Sequence, residues 1–80
     1  MITITENQSR IIQVLTEVFL IKNLPVPALS PETVLDQIGL ESLDFAHAVI
    51  RMEELTGKDP FATETEFQIK TLSDLAAMYD

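Results

Sequence analysis

The sequence predicts an all-α fold, with a single domain over residues 1–80. We expect a four-helix bundle with three longer helices, one short helix and a long first loop. Three observations support this. Apolar residues recur at three- and four-residue spacing, prolines and glycines separate those segments, and no apolar–polar alternation is long enough for a paired strand. A chain of 80 residues can bury only one modest core, so a self-contained enzyme is not expected.

The first helix is predicted between Asn7 and Lys22, where Thr5 with Gln8 can form a capping box at its start. The apolar residues that share one face of this helix are Ile11, Val14, Leu15, Val18 and Ile21. Prolines at positions 25, 27 and 31 cannot continue a helix. They predict a long loop that reaches about residue 41.

A loop of this length needs an anchor to the core. Ser30 before Pro31 is typical of an N-cap followed by a first helical residue, so we expect a short helical turn there, ended by Gly39. The residues of this turn that are expected to face the core are Val34, Leu35 and Ile38.

The second helix, predicted from Ser42 to about Thr56 and ended by Gly57, carries apolar residues on two faces. The core-facing group is Phe45, Ala48, Val49, Met52 and Leu55. The other group is Leu43, Ala46 and Ile50, with charged residues beside it. This second group either packs under the long loop or the third helix, or forms an exposed docking strip, and the pattern alone leaves both open.

A short third helix is predicted between residues 60 and 68, starting either at Asp59 with Pro60 or at Thr63 with Glu66.

A terminal helix is predicted to start at Thr71, which can form a capping box with Asp74. The apolar residues on one face of this helix are Leu72, Leu75, Ala76 and Tyr79.

The chain is strongly acidic, with 5 basic and 13 acidic side chains and a formal charge of −8. This charge disfavours binding to nucleic acid or anionic lipid and favours basic protein surfaces. The longest apolar run is too short to span a bilayer, no secretory signal is seen, and there is no cysteine. We therefore expect a cytoplasmic monomer that binds other proteins.

Residues 35–44 read LDQIGLESLD, and this run resembles the phosphopantetheine attachment motif of acyl carrier proteins and related carrier domains. The length, the acidity and the order of the helices are also similar to that family. The resemblance implies that Ser42 is the modified residue. It further implies that a separate phosphopantetheinyl transferase, with Mg²⁺ and coenzyme A, attaches a 4′-phosphopantetheine arm there.

The resemblance implies an acyl carrier protein that is not itself an enzyme. It would hold acyl intermediates as thioesters and present them to enzymes of fatty-acid, polyketide or other specialised lipid metabolism. Its partners would be the transferase and acyl-loading and acyl-modifying enzymes with basic docking patches. Two alternatives stay open: an aminoacyl or peptidyl carrier, and an unmodified acidic interaction module in which Ser42 is only the helix N-cap.

In the family, the residues around the serine and along the outer face of the second helix contact partner enzymes. The matching positions here are Glu41, Leu43, Asp44, Ala46, His47, Ile50, Glu53 and Glu54. Glu41 stands where aspartate is usual, and His47 where an acidic residue is common. Arg51 adds a further positive charge beside His47, so we expect a strip less negative than in typical fatty-acid carriers, which favours a specialised pathway.

Catalytic and metal-binding interpretations of the same residues are weak. Ser42 and His47 are five residues apart, so their side chains point about 140° apart on a helix and cannot form a nucleophile–base pair. Asp44 and His47 are spaced to share a metal ion, but no further ligand accompanies them.

Overall fold

The structure, a computed structural model, describes residues 4–62 and 69–80. Over these residues the elements are α1 (Glu6–Ile21), a 3₁₀ helix (Leu35–Gln37), α2 (Ser42–Thr56), a second 3₁₀ helix (Pro60–Ala62) and α3 (Leu72–Ala77). The described residues contain no strand, and β-type pairing is limited to one isolated bridge between Val34 and Thr71. The predicted all-α class is confirmed.

The predicted fourth helix is not confirmed. Of the range 60–68, the structure describes one 3₁₀ turn at Pro60–Ala62, whereas Thr63 and Glu66 lie outside the described residues. The Asp59–Pro60 start therefore coincides with a helical turn, and the bundle is described here by α1, α2 and α3.

The starts of α1 and α3 are confirmed as capping boxes. Thr5 Oγ1 accepts a hydrogen bond from the Gln8 backbone N–H at 3.1 Å, and Gln8 Oε1 accepts one from the Thr5 N–H at 3.0 Å. Thr71 and Asp74 make the same exchange at 3.2 and 3.0 Å. These reciprocal bonds satisfy backbone donors that have no partner within the helix.

The core lies where α1 contacts both α2 and α3. Its buried side chains are Ile11, Val14, Leu15, Leu35, Ala48, Met52, Leu72, Leu75, Ala76 and Tyr79. Three predicted core residues are exposed: Ile21 at 67%, Leu55 at 39% and Val34 at 37%. Ile21 is the last residue of α1 and lies on the same side of the helix as Glu17, which is not part of the core. Phe19 is the buried side chain at this end of the helix.

The long loop is anchored differently from the prediction. Ser30 does not start a helix, because its carbonyl accepts from the Thr33 N–H and closes a turn, and the 3₁₀ helix begins only at Leu35. Between the two, residue 34 pairs with Thr71, which leaves Val34 37% exposed while Leu35 points into the core. Successive residues of an extended segment point to opposite sides, which explains why Val34 does not join Leu35 in the core.

Three backbone bonds hold the loop to the start of α3. They run from the Leu35 N–H to the Lys70 carbonyl, from the Leu72 N–H to the Thr33 carbonyl and from the Ser73 N–H to the Pro31 carbonyl, each at 2.9 Å. Gly39 then takes a φ of +83°, a conformation that side chains disfavour, and directs the chain into α2.

Helix α2 begins as predicted at Ser42, but Glu41 is its N-cap residue and Ser42 is its first helical residue. The Ser42 hydroxyl makes no hydrogen bond to any residue that the structure describes. The interpretation of Ser42 as the helix N-cap is therefore wrong.

We expect Ser42→Ala to change the free energy of unfolding by less than about 0.5 kcal/mol, because no internal bond is lost. The matched variant Thr5→Ala removes a hydroxyl that does cap a helix and is expected to cost about 1 kcal/mol. Urea unfolding of both variants and of the wild type measures the difference. A loss in Ser42→Ala equal to that in Thr5→Ala would contradict the described start of α2.

Candidate functional site

The end of α1 and the start of α2 are joined by one carboxylate. Asp44 Oδ2 accepts a hydrogen bond from Lys22 Nζ at 2.7 Å and another from the Glu41 backbone N–H at 2.8 Å. Lys22 is the C-cap residue of α1, and Glu41 is the N-cap residue of α2. The Asp44 side chain is only 15% exposed and that of Lys22 is 30% exposed. This contact fixes the chain on both sides of Ser42.

These bonds favour the charged forms of both side chains. The hydrogen bond from Lys22, followed by that from the Glu41 N–H, lowers the pKa of Asp44 below its ordinary value of 3.8. The same contact with Asp44 raises the pKa of Lys22. Because the carboxyl pKa is lowered in the folded state, its stabilising contribution is present above the ordinary pKa and is lost as the pH falls through the folded-state pKa.

Ser42 lies exposed in the first turn of α2, directly after the residue that Asp44 holds. The first N–H groups of a helix have no carbonyl partner within it, and the helix dipole is positive at this end. An anion attached to the Ser42 oxygen would therefore lie in a favourable electrostatic environment. The free hydroxyl, its exposure and this environment together suit a covalently attached phosphate group.

An apolar cleft of about 390 Å³ opens beside Ser42 and reaches Leu75 in α3. Its size falls within the range of small-molecule pockets, roughly 300–1,000 Å³. Its walls come from five parts of the chain: the 3₁₀ helix at residues 35–37, α2, the turn at residues 60–62, the segment before α3, and α3 itself. The residues other than Ser42 and Leu75 that line it are Leu35, Asp36, Phe45, Ala46, Val49, Phe61 and Ile69.

The second apolar face of α2 is solvent-exposed. Leu43 is 81% exposed, Ile50 is 56% exposed, and Ala46 between them is also exposed. We call these three residues the α2 strip. The alternative that this face packs under the long loop is wrong, because side chains in such a contact would be buried. Most of the predicted third helix, within residues 60–68, lies outside the described residues. Glu41, Glu53 and Glu54 are exposed beside the α2 strip.

Two positions near the α2 strip differ from expectation. Arg51 does not leave a free positive charge, because it contacts Glu17 at 3.3 Å and Glu54 at 2.9 Å. Asp44 Oδ2 accepts hydrogen bonds from both Lys22 and the Glu41 N–H, so this oxygen is engaged within the chain. His47 is half-buried on α2, on the side of the α2 strip nearer to α1.

Alternative chemistries find no support in the part of the chain that the structure describes. Neither the Ser42 hydroxyl nor the His47 imidazole makes a side-chain hydrogen bond to a described residue, so the two do not form a nucleophile–base pair. No group of three or more histidine, cysteine or acidic side chains in residues 4–62 and 69–80 is arranged to hold a metal ion. None of the helices described is both long enough and apolar enough to cross a membrane.

Part of this site could be predicted from the sequence, and part could not. The motif around Ser42 and the two faces of α2 are local patterns. The Lys22–Asp44 contact and the cleft join residues far apart in the chain. The signals for the cleft in the sequence were apolar residues in the connecting segments, namely Val34, Leu35, Phe61 and Ile69. These residues do not show which of the segments lie next to one another.

Comparison with protein families shows a match to the phosphopantetheine attachment site family over residues 9–79. Comparisons with curated proteins and with solved structures gave no significant match. Domains of this family are carriers and not enzymes, and they bear a covalently attached 4′-phosphopantetheine group. Because the match covers most of the chain and includes α1, α2 and α3, the chain belongs to the phosphopantetheine attachment site family of carrier domains.

Proposed function

We propose that the chain is an acyl carrier protein and that Ser42 bears its 4′-phosphopantetheine arm. The observation that carries this proposal is the position of one free hydroxyl: it lies at the start of α2, exposed, unpaired among the described residues and at the mouth of an apolar cleft. The arm's thiol supplies the thioester chemistry for which the chain has no cysteine of its own.

The residues around Ser42 fit this group. In the attachment step the Ser42 oxygen forms a bond to the phosphorus that carries the pantetheine, the P–O bond of the coenzyme A pyrophosphate breaks, and adenosine 3′,5′-bisphosphate leaves. The hydroxyl proton passes to the transferase, because no described side chain contacts Ser42 as a base. The product is a phosphodiester anion beside the first N–H groups of α2.

The α2 strip and its acidic border form the proposed docking surface. Leu43, Ala46 and Ile50 supply an apolar centre, and Glu41, Glu53 and Glu54 supply a charged border. Such a surface fits the transferase and biosynthetic enzymes with basic patches around an apolar centre. The net charge of −8 speeds these encounters while each complex stays weak enough to release the carrier.

The cleft favours acyl over aminoacyl or peptidyl cargo. An alkyl chain that extends from the arm back into the cleft would contact Phe45, Val49 and Leu75 and leave water. A charged amino group would find only Asp36 and Ser42 as polar side chains among the described lining residues, and the apolar remainder would not replace its hydration. We place the carrier as a cytoplasmic monomer in fatty-acid, polyketide or other specialised lipid metabolism.

We expect the wild-type protein to gain the mass of one phosphopantetheinyl group on incubation with a broad-specificity phosphopantetheinyl transferase, coenzyme A and Mg²⁺. Ser42→Ala is expected to gain none, and Ser9→Ala, which changes an exposed serine on α1, is expected to gain one. Intact-mass spectrometry gives both the endpoint and the rate. Modification of Ser42→Ala, or failure of the wild type with several transferases, would contradict the assignment.

The same assay tests the docking surface. Ile50→Glu places a charge in the apolar centre of the α2 strip and is expected to lower kcat/KM for modification about tenfold. Leu20→Glu makes the same charge change at an exposed aliphatic residue of α1, 64% exposed, and is expected to have little effect. Equal rates for the two variants would show that the α2 strip does not contact the transferase.

We expect an octanoyl thioester on the arm to raise Tm by at least about 4 °C over the unacylated carrier, because burial of two methylenes already contributes roughly 1.6 kcal/mol. An aminoacyl thioester is expected to give no rise. Val49→Phe fills the cleft and should abolish the effect, whereas Val26→Phe, at an exposed loop residue, should preserve it. Equal shifts with both cargoes, or an unchanged shift in Val49→Phe, would contradict an acyl-binding cleft.

A further inference from the structure

We propose that Lys22 is the counter-charge of the phosphodiester on Ser42. By neutralising the Asp44 carboxylate beside the attachment point, it lets the first turn of α2 hold a second permanent anion. This inference rests on the proposed attachment at Ser42. It assigns a role to a residue at the end of another helix, outside the motif that marks the attachment position.

Attachment of the phosphopantetheine arm to Ser42 would concentrate negative charge within residues 41–44. Asp44 lies two positions after Ser42. Its carboxylate accepts a hydrogen bond from the backbone N–H of Glu41, the residue directly before Ser42. Glu41 itself is exposed and acidic. A phosphodiester on Ser42 therefore joins two carboxylates within residues 41–44, and like charges at this separation repel.

Lys22 is the cation that contacts this segment. Its ammonium group is 2.7 Å from Asp44 Oδ2, and that same oxygen is 2.8 Å from the Glu41 nitrogen. The other described lysines and arginines act elsewhere: Arg10 pairs with Glu6, Arg51 pairs with Glu17 and Glu54, Lys58 donates to the Tyr79 carbonyl, and the charge of Lys70 acts on Asp74. Among the described lysines and arginines, Lys22 is therefore the one that contacts Asp44, and His47 adds a smaller electrostatic contribution.

This role differs measurably from that of an ordinary ion pair. In the unmodified carrier, loss of Lys22 removes one contact with Asp44. In the modified carrier, it also leaves an uncompensated Asp44 carboxylate two residues from the phosphodiester, within the same first turn of α2. The loss of stability should therefore be larger after modification, and the excess should be sensitive to salt because it is Coulombic.

The test compares Tm of unmodified and phosphopantetheinylated protein for the wild type, Lys22→Met and Lys22→Gln. Lys22→Gln keeps an N–H donor for Asp44, so it remains informative if Lys22→Met folds poorly. At low salt we expect both variants to lose about 2–4 °C more in the modified form than in the unmodified form. We expect the excess to disappear in 1 M salt, where the Debye length is about 3 Å, and Lys22→Arg to behave as the wild type.

Arg10→Met is the matched control, because Arg10 forms an ion pair of the same 2.7 Å length with Glu6 at the far end of α1. It should lower Tm equally in both forms. An equal loss in both forms of the Lys22 variants would overturn the inference and leave Lys22 with a structural role only. A wild-type protein that never accepts the arm would instead overturn the proposed function, and this inference with it.

Discussion

The site depends on the two hydrogen bonds that the Asp44 carboxylate accepts from Lys22 and from the Glu41 backbone N–H. One oxygen of this carboxylate holds both the lysine that ends α1 and the backbone N–H that precedes Ser42. Core packing and the Arg51–Glu17 ion pair also hold α1 against α2, and the Asp44 contact adds the link between the end of α1 and the start of α2. The long loop between these helices is anchored instead at the start of α3. Because Asp44 and Glu41 fix the first turn, the Ser42 hydroxyl is not needed as a cap and stays available for modification.

The same arrangement places the cleft and the proposed docking surface on neighbouring faces of α2. Phe45 and Val49 face the cleft, Leu43 and Ile50 face solvent, and Ala46 lies between the two faces. An arm attached at the start of this helix could therefore reach the interior beside the face that a partner enzyme would approach. A short chain with one small core thus provides two distinct surfaces around one hydroxyl.

Local patterns in the sequence predicted most of the helices and their starts. The capping boxes at Thr5 and Thr71 were correct because the residues that form them lie three positions apart. Ser30 was wrong as a helix start, because long-range pairing of residues 31–35 with residues 70–73 replaced the local preference. Ile21 and Val34 were wrong as core residues because their burial depends on which neighbouring segment covers them. The Lys22–Asp44 contact and the cleft have no signature within any one segment of the chain.

The most direct measurement of this contact is the pKa of the Asp44 side chain, followed by NMR of its carboxyl carbon during an acid titration. If Lys22 and the Glu41 N–H both donate to it, the midpoint lies below the ordinary value of 3.8 in the wild type and moves upward in Lys22→Met. A wild-type midpoint at or above the ordinary value, unchanged in Lys22→Met, would contradict the junction that holds Ser42 in place.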